Sequence, residues 1–396
     1  MLRPHDTAYV YTLPLQSDEA LRLRYQVVKD DILGNFRFGL LLEVLDTVAG
    51  ETAIAYVRRF HPQGEVVTAA IDRIIIRNSA EVTRDVVCKA RVNYVGRSSL
   101  EVGIRIEQED GEGGMRHVGS CFFMMVARSG VGEGAVSLEL PGLAYLDELE
   151  EKRAAKARER RAACRGEQDG ALKPPSPREY QVLSRLHRAQ DEPGFAGLKV
   201  GNLVTESWER MYPVLEKVPQ SIFGGYLIRR AYELAALCAE LAAPGRAVIM
   251  AVNRINFLQR VHIDDKLHYT CRVVHTGRCS ISIEADIERI SRDRRSKALS
   301  NTCLFTFVGV DAAMQPQPVP AVYPTTYAED ALYLVAFRQR EEYLALKRQL
   351  EIPSPGGGGT GRGGLFAMKQ RRLHSRTQQG PHPDPLPEGE GEPDLV

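Results

Sequence analysis

Two acids and two helix starts are the residues of this 396-residue chain best suited to chemistry. Phe38-Gly39 and Phe223-Gly224-Gly225 each stand at the head of an apolar helical pattern. A glycine in a first helical turn lets a ligand approach bare backbone N–H groups. The positive helix end favours negative charge, such as that on the oxygen of a tetrahedral acyl-transfer intermediate. Asp46 follows Phe38 by eight residues, so it lies about 12 Å along the axis and cannot serve a carbonyl held at its own helix start. If two such helices lie antiparallel, the acid of one comes near the start of the other and makes a composite site. Glu233 is the second acid, one position past the point equivalent to Asp46 when Gly225 is taken as an insertion; Tyr232 holds the equivalent point. Asn35 and Gln220 each precede the Phe-Gly pair by three residues. Their amides can hold a water or a carbonyl oxygen, cap a helix, or sit in a solvated loop. A carboxylate among Leu42, Leu45 and Ala49 is costly to bury without a purpose or a partner, an arginine among the candidates.

The elements that must position these groups occur twice, roughly 180 to 186 residues apart. After the first helix come Ala70-Ile71-Asp72-Arg73-Ile74, Arg91-Val92, Gly96-Arg97-Ser98-Ser99 and Cys121-Phe122-Phe123. After the second come Ala251-Val252-Asn253-Arg254-Ile255, Arg272-Val273, Gly277-Arg278-Cys279-Ser280 and Cys303-Leu304-Phe305. Leu41, Leu42, Leu45, Val48 and Thr52 recur at helical spacing in the first copy, and Leu227, Ala231, Leu234 and Cys238 in the second. Alternation then takes over: Val86, Cys88, Ala90 and Val92 share one strand face, and Leu100, Val102, Ile104 and Ile106 follow after a Gly96-Arg97 turn. One buried helix and a long antiparallel meander per copy predict an α+β fold in which a sheet wraps a helix. Two such domains in one chain read as a fused dimer, with its sites where the halves face each other. The expected divisions are residues 1–142, a charged helical linker 143–200, residues 201–352, and a Gly/Pro-rich tail 353–396. The linker carries a charged helix over residues 143–164, acidic early and basic late as its dipole favours, and a second helix near 179–188. The first of these is expected to be solvated. The tail lacks the apolar pattern needed to fold.

Composition narrows the partners. A formal net charge of +1 gives no field that would gather nucleic acid, and no run reaches the ~20 apolar residues of a membrane helix. Seven cysteines without a Cys-x-x-Cys pair read as reduced core residues. The start of the chain lacks a secretory pattern, and its paucity of Arg together with Asp6, Asp18 and Glu19 argues against a mitochondrial presequence, so a cytoplasmic protein is expected. Gly-x-Ser-x-Gly, the phosphate loop and His-Glu-x-x-His are missing, and no Gly-x-Gly-x-x-Gly stands between a strand and a helix, which sets aside serine hydrolases, nucleotide triphosphatases and zinc proteases. His61, His262, His268 and His275 lack metal-ligand spacing, and no metal or cofactor is expected.

At Arg37-Phe38-Gly39 with Leu45-Asp46, at Tyr94 to Val102, at Ile222 to Ala235 and at Tyr323-Pro324-Thr325-Thr326-Tyr327, the chain resembles the hotdog-fold acyl-CoA thioesterases, most closely the double-hotdog acyl-CoA thioesterase 9 type, over about residues 28–350. The resemblance implies a tandem hotdog fold and hydrolysis of acyl-CoA to free acid and CoA, with an acid as general base or nucleophile and helix-start N–H groups polarising the thioester carbonyl. Asp46 matches the family's helix acid, Gly224 and Gly225 its glycine pair, and Asn35 and Gln220 fall near its upstream amide. The first copy has Gly39 alone where relatives often have two glycines. The site expected to work joins Asp46 to Gln220–Gly225, with Glu233, Asn35 and Gly39 forming the weaker one. Arg97 and Arg278 at the hairpin tips, with Ser98, Ser99 and Ser280, are expected to hold the CoA part of the substrate or to be solvated tip residues. The family also implies homo-oligomers of double-hotdog chains. Two other functions fit the same fold: a non-catalytic acyl-CoA binding or sensing protein, and an enoyl-CoA hydratase or dehydratase, which needs a histidine that no position near Asp46 supplies.

Overall fold

The computed structural model describes residues 1–130, 134–166, 173–218, 221–222 and 224–351. Its helices are α1 (Glu19–Tyr25), α2 (Phe38–Arg58), α3 (Glu148–Gly166), α4 (Pro177–Gln190), α5 (Gly224–Glu240) and α6 (Tyr327–Glu351). Strands of the first half are β1 (Tyr9–Leu13), β2 (Glu65–Ile71), β3 (Ile74–Ile76), β4 (Val86–Val95), β5 (Ser99–Glu109) and β6 (Met115–Arg128). Those that follow are β7 (Leu198–Lys199), β8 (Val204–Arg210), β9 (Glu216–Val218), β10 (Ser221–Ile222), β11 (Arg246–Phe257), β12 (Lys266–Thr276), β13 (Ser280–Ile290), β14 (Lys297–Val310) and β15 (Val322–Tyr323).

One antiparallel sheet of 11 strands runs through both halves in the order β1-β4-β5-β6-β2-β11-β14-β13-β12-β8, with β3 bridging β6 and β11. The joint is short. Ile71 pairs with Ile255 on β11, and Ile74 pairs with Val252. In the repeat Ile71 corresponds to Val252 and Ile74 to Ile255, so the two pairings interchange, which is the mark of a pseudo-two-fold axis through the joint.

The apolar rows that alternate along the strands all turn to one side. Val92, Val102 and Phe123 from the first half, with Cys271, Ile283 and Phe305 from the second, join the buried faces of α2 and α5 in one continuous core. Helix α2 is apolar on most of its circumference, as a helix enclosed by a sheet must be, and its buried residues include Leu41, Leu45, Ala49, Ala53 and Val57. Six described cysteines are free and buried, and burial pushes the Cys88 thiol up to about 12, which keeps it protonated and inert.

The opposite sheet face is covered by the later helices. The expectation of a solvated linker helix is corrected here: α3 docks through Ala154 and Ala157, and Arg160 reaches the buried Glu101 at 2.6 and 2.9 Å with its guanidinium over the Phe122 ring. The Arg160 charge is spent on a surface of its own chain, while Lys152 and Lys156 on the outer side of the helix stay exposed. Helix α4 begins at a capping box of Ser176 and Glu179, and Glu179 also accepts from Arg338 of α6 at 2.7 Å. Helix α6 in turn places Tyr333 and Phe337 around the buried His275 of β12. No described helix is long and apolar enough to cross a membrane. The tail beyond residue 351 lies outside the described residues, as does Gln220.

Candidate active site

Helices α2 and α5 pack against each other in opposite directions. Gly39 at the start of α2 lies beside Tyr232 and Glu233 in the middle of α5, while Asp46 lies beside Gly224 and Gly225 at the start of α5. The composite arrangement that the 12 Å offset demands is therefore present in one chain. Asp46 is 3% exposed, and its carboxylate is held from two halves of the molecule. Oδ2 accepts from the Gly225 N–H at 2.8 Å, and Oδ1 accepts from the Thr68 hydroxyl on β2 at 2.8 Å. The N–H groups of a first helical turn have no partner within their helix, and they carry the positive end of its dipole. A buried carboxylate and an unpartnered helix start thus answer each other's cost.

Gly224 is needed for close approach. A Cβ there would lie 2.9 Å from the Phe257 ring and 3.5 Å from Asp46 Oδ2. In one respect the arrangement differs from expectation. The Gly225 N–H is turned to the Asp46 carboxylate rather than to an open position where a carbonyl oxygen would sit, because the nearest available anion takes the donor first.

Thr68 is the site residue that the sequence reading missed. Its hydroxyl also lies 3.6 Å from the Met125 sulfur. The repeat carries the signal: counting back from the matched Ala70 and Ala251, Thr68 corresponds to Ile249, so this position of the second copy has no hydroxyl.

The other helix start is built differently. Glu233 accepts from Arg37 at 2.6 and 2.9 Å and from Arg230 at 3.3 Å, so its charge is already balanced. A Cβ on Gly39 would meet Tyr232, Arg229 and Glu233 side chains at 3.0 to 3.3 Å, so α5 packs closely over this glycine. Asn35 is corrected from its expected role. Its Oδ1 accepts from the Val27 and Val28 N–H groups and its Nδ2 donates to the Val28 and Asp30 carbonyls, which uses all four of its hydrogen-bonding positions to fold its own loop. The hairpin tips stand in separate surroundings. Arg97 has an 83% exposed side chain about a turn that borders α3 through Arg161, with Ser98 half-buried and Ser99 buried. Arg278 is exposed at a turn whose Gly277 borders Arg340 of α6, with Ser280 half-buried behind it. Among the described residues no group of three or more His, Cys, Asp and Glu side chains is placed to hold a metal.

The thioesterase superfamily profile matches residues 34–115 and 220–294, which are the two helix starts and the strands that follow them. An uncharacterised acyl-CoA thioester hydrolase of Zymomonas mobilis is 33% identical over 109 residues, 28% of this chain and 73% of that protein. The chain belongs to the acyl-CoA thioesterases of the thioesterase superfamily. A relative spanning both halves is human mitochondrial acyl-coenzyme A thioesterase 9, 27% identical over 349 residues, 84% of this chain and 76% of the relative. An apo-hexameric acyl-CoA thioesterase of known structure covers 40% of this thioesterase and 100% of its own chain, at 26% identity and a TM-score of 0.37. The cytoplasmic expectation is corrected by the relatives. Those from human, mouse and cattle that match most of the thioesterase are all named as mitochondrial. Acidic residues near the start of the chain are no warrant for a compartment, since an address is read by receptors and leaves no mark on the fold.

Proposed function

We propose that acyl-CoA is hydrolysed at one composite site, where Asp46 of the first half meets the start of α5 in the second. The observation that carries this reading is the 2.8 Å bond from the Gly225 N–H to Asp46 Oδ2, because it joins a carboxylate to a helix start that its own helix cannot supply. Thr68 and Gly225 orient the carboxylate, and it takes a proton from water as that water attacks the thioester carbon. Negative charge then grows on the carbonyl oxygen beside the positive end of α5, where the Gly224 N–H is the proposed donor. Collapse of the tetrahedral intermediate breaks the carbon–sulfur bond, and the proton held by Asp46 passes to the departing thiolate. The products are the free acid and CoA thiol, and no metal or redox cofactor enters. The exposed Arg97 guanidinium is the proposed contact for CoA phosphate.

The test is release of free thiol from acyl-CoA by purified protein. Asp46→Asn keeps the shape and removes the base, and loss of a general base is expected to lower turnover about 10²–10⁴-fold with little change in melting temperature. Near-wild-type turnover in this variant removes Asp46 from the mechanism. Single turnover in ¹⁸O-water separates base from nucleophile, since only an acyl-enzyme anhydride leaves label in the Asp46 carboxylate.

A further inference from the structure

The duplication leaves a second place between the halves where the partners of Asp46 are replaced. Ile249 stands for Thr68, Glu233 is bound by two arginines, and α5 side chains pack closely over Gly39. These replacements leave space beside them. A cavity of about 390 Å³ lies beside this helix start, walled by apolar side chains that include Phe38, Val248, Met250 and Met314. That volume falls in the range of small-molecule sites.

Charge around the cavity is uneven. Arg37 is neutralised by Glu233, and Arg246 donates to the Leu33 and Gly34 carbonyls at 2.7 and 3.4 Å. Arg77 also lines the cavity, and among the described residues its guanidinium has neither a hydrogen bond nor an ion pair. The carboxylate lining the cavity besides Glu233 is Glu240, at the exposed end of α5. An apolar sleeve with one unspent cation suits an aliphatic chain that ends in an anion.

We propose that this cavity binds, without hydrolysing, an aliphatic acyl chain with an anionic head, and that Arg77 supplies the charge for the head. The chain is either a free fatty acid or the acyl arm of a CoA thioester. Hydrolysis at Asp46 is not required for this, because binding itself is the readout.

A dansyl-labelled undecanoate titrated into the full-length protein is expected to bind saturably, with a rise in fluorescence. Ala236→Phe, which fills the cavity from α5, is expected to abolish that binding, and Arg77→Gln to weaken it about tenfold. Both variants are expected to keep acyl-CoA turnover within about twofold, since they lie apart from the residues around Asp46. Arg77→Gln removes no apolar contact from the core and stands in if Ala236→Phe fails to fold. Displacement of the probe by decanoate alone identifies a free acid as the occupant, and displacement by the non-hydrolysable thioether S-decyl-CoA identifies a CoA-linked chain. Probe that neither compound displaces, no saturable binding, or binding that Gly224→Val removes while both cavity variants keep it, overturns the proposal. Binding lost in Ala236→Phe and untouched in Arg77→Gln overturns the role given to Arg77.

Discussion

Asp46 and Glu233 are both helix acids of one duplicated pattern, and their neighbours give them different futures. Asp46 accepts from a hydroxyl and a backbone N–H, donors that orient a carboxylate. Glu233 is bound by two guanidinium groups, which cancel its charge. Replacing Thr68 by Val removes one donor and keeps the β-branched shape, so turnover is expected to fall about 10- to 100-fold, the equivalent of one hydrogen bond to a charged group. Thr68→Ser is expected to restore most of the loss. Equal activity in Thr68→Val and wild type, measured by thiol release, would take Thr68 out of the site. Glu233→Gln is expected to leave kcat nearly unchanged and to lower the melting temperature, because two arginines lose their shared partner. A loss as large as that of Asp46→Asn would mean that both helix starts work. Asp46 and the glycine pair were legible because acids and glycines are rare in an apolar helix pattern and their cost demands a reason. Thr68 was not, since a threonine in a strand is ordinary and only its contrast with Ile249 gives it meaning. The arginine partners of Glu233 were equally hidden, because a long side chain can reach an acid from several turns or loops away.

At the scale of elements, periodicity carried the reading furthest where one face is buried and the other is not. The α2 and α5 helices, the β4 and β5 hairpin and its counterpart in β12 and β13 fall where the alternation places them. Helix α3 shows what composition misses. Charge predicts exposure only until an oppositely charged or aromatic surface is available, and Glu101 with Phe122 provides one. Helix α6 gives a measurable consequence of the same kind. It buries His275 against Tyr333 and Phe337, and burial, assisted by the nearby Arg340 charge, lowers the imidazole to about 3. The unfolded chain takes up that proton near pH 6.5 while the folded chain refuses it until about pH 3, so unfolding binds a proton in between. Stability from this group is complete above pH 6.5 and is lost as pH falls towards 3. His275→Phe keeps a ring for the two aromatics to pack on and removes the titration. The fall in melting temperature between neutral pH and pH 4 is therefore expected to be shallower in the variant than in wild type, and parallel curves would place the acid sensitivity elsewhere.

The whole molecule behaves as a dimer written in one chain, joined by a few strand pairs around a pseudo-two-fold axis and by two antiparallel helices. That geometry sets the acid of one half against the helix start of the other, since Asp46 belongs to the first half and Gly225 to the second. Residues 1–142 alone, kept monomeric, are therefore expected to release no thiol from acyl-CoA, and the same holds for the second half by itself. The sharper test keeps the chain intact. Gly224→Val puts a branched side chain where a single Cβ already meets the Phe257 ring at 2.9 Å, and it is expected to block approach to the α5 donors at a cost of about 10²–10³-fold. If Asp46 and Gly224 serve one site, joining Gly224→Val to Asp46→Asn costs little more than the worse single change, because a site can be lost only once. Two sites, each complete in its own half, would instead leave one working when the other is damaged. Losses that multiply in the double variant, or an active monomeric first half, would assign the chemistry to separate halves rather than to the seam between them.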